Sequence, residues 1–407
     1  MALAAATAAA LSPVPALAAE NDARLESRMD RAMNQAGARS GAFVYDLTDR
    51  DRLYSRRATK RRILASNTKL FTTAAALDEF RARGTFTTDV LADRLPNANG
   101  TVRGNVYLRG GGDPSFGSRS FAERAYGGGG ATLEGLARRV KRAGVRRVTG
   151  GVLGDETLFD SLRGGPDSGY GVSVWVGPLS ALSYNRGLAR ETGSAFQRNP
   201  PEFAAKRFRR ALKRVGIEVG GRAGVSAAGS RARTIATGES VTVGRILELT
   251  NKISDNFFAE ILAKHLDAAP GHPGTTAGGA TAAERFARRF RATARLVDGS
   301  GLARGNRAAP RAVVRLLRGM QRHRDFDAFH ASLPRAGEHG TLRERRTNRR
   351  CRAKTGTISG VSSLSGYCRS VSGDLIAFSI LMNGIGYDYD RARRLQDAMT
   401  QIIARYG

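Results

Sequence analysis

The sequence predicts a mixed α/β (α+β) fold, in which a large, mainly β domain is inserted into a catalytic unit. Three observations predict it. Apolar residues recur at helical spacing after Ser66, through Leu70, Phe71 and Leu77, and again from Val243 to Leu262. Between about residues 85 and 235 the texture changes to short strands and glycine-rich turns, such as residues 104–109 and 151–155, around one helix at 131–144. Near the C-terminus, residues 352–357 and 361–367 flank a short turn and read as a hairpin.

Taken in order, residues 1–19 form an Ala-rich apolar run in which Ala16 and Ala18 fit an A-x-A cleavage site. This reads as an export signal, although the usual positive n-region is missing and the run is too short to span a bilayer. No other transmembrane segment is expected, and the chain is placed outside the cytoplasm, in periplasm, cell wall or medium. Residues 22–36 read as an amphipathic helix, residues 41–47 and 52–54 as strands. The expected catalytic domain is split, residues 20–84 and 236–407, with 85–235 as the insert. Its second part continues with a loop at 298–302, a helix at 309–322, the hairpin, a strand at 375–382 and a final helix at 389–405.

A length of 407 residues and a hydrophobic content of 41% suit a soluble protein of two or three domains. The net charge of +30 implies attraction to polyanions. No zinc-finger spacing, RNA-binding aromatic motif or basic heptad array accompanies it, so nucleic acid is not the expected partner. An anionic wall polymer remains a candidate. Lysine occurs only at 60, 69, 141, 206, 213, 252, 264 and 354, so nearly all the positive charge is arginine. Positions that keep lysine therefore point to its compact ammonium or its shiftable pKa. His265, His272, His323, His330 and His339 show no ligand spacing and read as surface or loop residues. No metal or other cofactor is expected.

Three short motifs carry chemistry: Ser66-x-x-Lys69, Ser254-x-Asn256 and Lys354-Thr355-Gly356. A serine hydroxyl is a poor nucleophile until a base takes its proton, and a desolvated lysine can be that base. Ser66 falls at the start of a helix, with Lys69 one turn on, and Ser254 and Asn256 fall between two helical stretches. Lys354 is expected on an edge strand, where Gly356 leaves room for a ligand backbone. A competing Ser183-x-Asn185 lies in a turn-rich part of the insert, and the glycine loop 110–114 lacks the Lys-Ser/Thr ending of a phosphate loop.

With these motifs in order, the chain resembles the D-alanyl-D-alanine carboxypeptidases/endopeptidases of the class C low-molecular-mass penicillin-binding protein type, peptidase family S13. The resemblance extends to residues 104–108, 110–114, 180–185, 298–302, 332–334 and 340–342, and to the large gap between the first two motifs. Ala303 departs from the serine usual there. The resemblance implies a penicillin-binding-protein/serine β-lactamase-like transpeptidase fold, and acyl transfer on a peptidoglycan stem peptide with β-lactams as covalent inhibitors. Ser66 would attack, Lys69 would take its proton, and the Ser66 and Thr357 amides would form the oxyanion hole. Burial in part and the charge of Lys354 would lower the pKa of Lys69. Ser254 would relay the proton and Asn256 would hold the substrate amide. Lys354, Thr355 and Thr357 would bind the terminal carboxylate, and Asp155, on the insert, would contact a cationic side chain of the stem.

Two other readings compete. A β-lactamase or esterase on this scaffold is disfavoured by the large insert and by the lack of an obvious Glu-x-x-x-Asn loop. A non-catalytic cationic wall-binding protein is disfavoured by the intact nucleophile and base. Finally, if Ser359 and Gly360 are the hairpin loop, Cys351 falls opposite Cys368 and Lys354 opposite Ser365. A disulfide there would brace the lysine strand from behind, because side chains alternate faces.

Overall fold

The computed structural model describes residues 14–407. Residues 1–13, most of the expected export signal, lie outside the described residues. The first helix, Val14–Gln35, begins earlier than the expected residue 22. No helix among the described residues is long and apolar enough to cross a membrane.

An antiparallel sheet of five strands forms the frame, in the order Cys351–Ile358, Val361–Arg369, Leu375–Asn383, Gly41–Asp46, Arg52–Arg56. The two ends of the chain thus meet in one sheet, Phe43 opposite Ser379. Helices Val14–Gln35 and Tyr389–Ala404 cover its back, burying Met29, Met33, Met399 and Ile403 against Val44, Phe378 and Ile380. On the front lies a helical cluster comprising Thr68–Phe80, Val243–Lys252, Asn256–Asp267, Thr276–Arg288 and Pro310–Gln321. With helices on both faces, the strand Val361–Arg369 is buried along nearly its whole length. Its serines survive burial because they are bonded: Ser365 Oγ donates to Ser379 Oγ (2.9 Å) and Ser363 Oγ to the Leu64 carbonyl (2.8 Å).

A second five-stranded sheet, in the order Ala223–Val225, Val152–Asp155, Val106–Gly110, Thr87–Ala92, Arg233–Glu239, mixes parallel and antiparallel pairs. It runs a few residues past position 235. Helices Leu133–Arg142 and Pro200–Arg214 pack on it through Leu136, Val140, Phe208 and Leu212. The second of these is absent from the sequence reading, as is Arg119–Tyr126, so this region holds more helix than its many glycines suggest. Pro200 and Pro201 occupy the first turn of their helix, behind the Asn199 cap, where a missing N–H costs nothing.

His265 corrects the expectation of a surface histidine. It is buried, stacked on Phe86 with ring centroids 3.7 Å apart, and its Nε2 lies 2.9 Å from the Gly112 carbonyl oxygen. Burial lowers its pKa to about 4, so it stays neutral. The glycine loop is shaped around it: Gly112 has φ +73°, and a Cβ there would stand 2.3 Å from the imidazole.

Candidate active site

Ser66 lies in a short 3-10 turn, Ala65–Asn67, immediately ahead of the helix Thr68–Phe80 rather than inside it. Ala65, before Ser66, has φ +48°, and Ser254 has φ +61°. Both are sparsely populated for non-glycine residues, and such backbone is held only where surroundings overdetermine it. Here they do. Ser363 holds the Leu64 carbonyl, and Asn67 Nδ2 donates to the Lys354 carbonyl (2.9 Å), tying the turn to the lysine strand. Gly356 makes that approach possible: a Cβ there would stand 2.9 Å from Ser66 N and 3.0 Å from the Leu64 oxygen. The small residue thus admits the nucleophile turn.

Lys69 is fully buried and reaches three acceptors: Ser66 Oγ (3.1 Å), Asn256 Oδ1 (2.7 Å) and the Ser300 carbonyl (2.7 Å). A neutral amine here donates two N–H groups to Asn256 and Ser300 and leaves its lone pair for the Ser66 hydroxyl proton. Burial lowers its pKa to about 8, against the opposing pull of Asp298, Glu260 and Asp255. The cause expected from the sequence is corrected: burial is complete, and it dominates. Lys354 is likewise fully buried, donating to Ser254 Oγ (2.9 Å) and the Thr355 carbonyl (2.9 Å). Its pKa is held well below the ordinary lysine value by burial first and by Lys69 second.

The loop at 298–303 presents the Ser300 carbonyl, and two buried carboxyls hold it. Asp298 accepts the N–H groups of Gly301 (2.7 Å) and Ala303 (2.7 Å); Glu260 accepts those of Ser300 (2.8 Å) and Gly299 (3.2 Å). Residue 303 contributes only its backbone here, which is why alanine suffices. Burial raises both carboxyls, Glu260 to about 7. Glu260 was not singled out in the sequence, yet it left a signal: one acid inside the apolar run Phe257–Leu262.

Ser66, Ser254, Asn256, Thr355, Gly356 and Thr357 line one cleft of about 1220 Å³. The lysine strand is the sheet edge. Ala353 N–H points outward, to the Pro334 carbonyl (3.0 Å), and two-residue alternation turns the Thr355 and Thr357 amides the same way. Trp175, the single tryptophan, stands 71% exposed at the rim, and its carbonyl accepts from Asn256 Nδ2 (3.1 Å). Trp175 sits among Val172, Val174 and Val176 in a glycine-flanked loop, and a lone tryptophan is itself a signal in the sequence.

Three residues fall elsewhere. Asp155 is 2% exposed and absent from the cleft wall. Its oxygens accept from Thr157 N–H (3.0 Å), Thr157 Oγ1 (2.7 Å) and Ala228 N–H (3.0 Å), so the expected contact with a substrate cation is corrected to a turn-holding role. Ser183 and Asn185 are buried away from the cleft wall, Asn185 Oδ1 accepting from Ser118 N–H (2.8 Å). Among the described residues, no cluster of His, Cys, Asp and Glu is arranged to hold a metal.

Comparison with known proteins agrees with this geometry. A D-alanyl-D-alanine carboxypeptidase of Actinomadura sp. (strain R39) is 31% identical over 489 aligned positions, covering 98% of this chain and 88% of that protein. Penicillin binding protein 4 of Haemophilus influenzae superposes with a TM-score of 0.77 at 19% identity, over 93% of this chain and 99% of that one. The same protein complexed with a novel β-lactam gives 0.74 at 19% identity, with the same coverages. These show a shared fold. The D-Ala-D-Ala carboxypeptidase 3 (S13) family matches residues 22–192 and 186–406, and the chain belongs to that family of peptidases.

Proposed function

We propose that the chain is a serine-type D-Ala-D-Ala carboxypeptidase/endopeptidase acting on peptidoglycan stem peptides through an acyl-enzyme on Ser66. The observation that carries this reading is the Lys69 amine, buried, lowered to about 8 and 3.1 Å from Ser66 Oγ. Ser66 Oγ attacks the carbonyl carbon between the terminal D-alanines while Lys69 Nζ takes its proton. The outward Thr357 amide and that of Ser66 receive the developing oxyanion. The leaving amine takes a proton through Ser254, whose hydroxyl is held by Lys354. Water then attacks the ester and frees Ser66.

Lys354, with Thr355 and Thr357, meets the terminal carboxylate, and Asn256 meets the substrate amide by exchanging its bond to the Trp175 carbonyl. The catalytic unit comprises residues 20–84 and 236–407, and 85–235 forms the insert. The N-terminal run directs export, and β-lactams acylate Ser66 as substrate mimics. A purely wall-binding role explains neither buried lysine, since desolvating two ammonium groups serves no surface function.

Incubation with a labelled β-lactam followed by peptide mapping tests the reading. The adduct is expected on Ser66 and absent from Ser66→Ala. An adduct elsewhere, or none on folded protein, overturns it.

A further inference from the structure

A second cavity, about 290 Å³, opens away from the Ser66 cleft and shares no lining residue with it. Arg61, Arg291, Arg311 and Arg315 converge on it, beside Thr59 and Thr293, and no acidic side chain lines it. They come from three separate segments: the approach to strand Arg62–Ile63, the turn after helix Thr276–Arg288, and the first turns of helix Pro310–Gln321.

In a chain of net charge +30, grouped arginines are unremarkable by number. Among the described residues, many exposed arginines lack an acidic partner, while others meet acids, as Arg163 meets Glu156, Arg289 meets Asp78 and Arg345 meets Asp397. What sets this group apart is that four of them, from three segments, line one concavity. The cleft itself interleaves its arginines with Glu344, Asp390 and Asp397. The second cavity offers only like charges, which repel without an anion between them.

Two details sharpen this. Arg311 Nε is buried and has no hydrogen-bond acceptor, while its guanidinium is held over the Phe43 ring, 5.3 Å from the centroid. Its helix carries no acid in its first turn. A cation at that end opposes the helix dipole, whose positive pole adds to the field in the cavity. Arg315 is also pre-positioned, with Nη1 donating to the Arg291 carbonyl (3.2 Å).

We propose that this cavity binds a phosphate group, and that it tethers the protein to a phosphate-bearing polymer while the separate cleft remains open. Guanidinium forks match phosphate oxygens in pairs. A tetrahedral oxyanion accepts from several directions at once, as forks from three segments demand, whereas a planar carboxylate is satisfied by one or two.

The test compares binding of inorganic phosphate and of a long polyphosphate chain at about 0.15 M salt, where exposed charges are screened beyond about 8 Å. Arg311→Gln/Arg315→Gln, and separately Arg61→Gln/Arg291→Gln, should each weaken polyphosphate binding about tenfold or more. The charge-matched pair Arg138→Gln/Arg142→Gln, which lies away from the cavity and is exposed as Arg61, Arg291 and Arg315 are, should weaken it less than about twofold. Competition by inorganic phosphate supports a site satisfied by one free anion; binding of the chain alone supports one that needs neighbouring phosphates. Equal losses in cavity and control variants, or no loss in either cavity variant, overturn the proposal. Labelled β-lactam acylation of Ser66 should be unchanged in all three variants, which verifies folding and keeps this test separate from that of the catalytic reading.

Discussion

The guanidinium of Arg186 bonds the carboxylate of Asp255, the residue between Ser254 and Asn256. Asp255 Oδ1 caps the following helix at Phe258 N–H (3.0 Å). Arg186 also lies over the Phe257 ring, 5.4 Å from its centroid. An arginine 69 residues earlier in the chain therefore pins the middle of the Ser254-x-Asn256 motif.

Replacing Arg186 tests that coupling. Arg186→Met leaves a buried carboxylate unpaired, expected to cost about 3 kcal/mol of stability. Loss of position at Ser254 and Asn256 should slow acylation about tenfold to a hundredfold. Asp255 raises the pKa of Lys69, and without Arg186 its charge is less compensated, so the pH midpoint of acylation should move upward. Arg186→Lys should recover part of the rate. Acylation rates against pH, with thermal melts of the same samples, decide this; an unmoved midpoint speaks against the coupling.

The Lys69 amine must be neutral to accept a proton, and its pKa is about 8. Acylation should therefore rise with pH through that value and flatten above it. Lys69→Arg, effectively always charged, should lose about 10²–10⁴ in rate, the scale of a general base. Lys354→Arg should lose less, because its charge survives to meet a carboxylate. Rapid-mixing acylation rates for the two variants are the measurement, and equal losses contradict these roles.

Cys351 and Cys368 are bonded across the hairpin, opposite each other in the register that also sets Lys354 against Ser365. They face the helices behind the sheet, in the core with Met29 and Met399. Cys351→Ser/Cys368→Ser should lower stability by about 2–4 kcal/mol. The β-lactam adduct should still form on Ser66 at temperatures where the variant is folded. Urea unfolding with and without reductant reads the first effect. Free, alkylatable thiols in native protein remove the basis for both.

Much of this was legible in one dimension because it is local. Ser66 and Lys69 are three residues apart at the start of a helix, so a 3-10 turn running into that helix brings them together. The hairpin register follows from a two-residue loop, and with it the cysteine pair and the face that Lys354 presents. The order of elements around 243–262 and 351–404 follows from hydrophobic periods that burial on one side imposes.

The tertiary structure decided what depends on contacts distant in the chain. Asp155 ends a strand, a common place for a binding residue, but the turn at Thr157 and Ala228 consumes its oxygens. Glu260 and Asp298 become supports of Lys69 only because a loop 40 residues on folds back over Glu260. His265 is a core residue because Gly112 and Phe86 close around it. Sequence alone thus determined which groups lie close together along the chain, since short spacing sets their local geometry. Their proton affinities, and the arginine cavity, were decided by tertiary packing, because desolvation and charge act through space between segments remote in the chain.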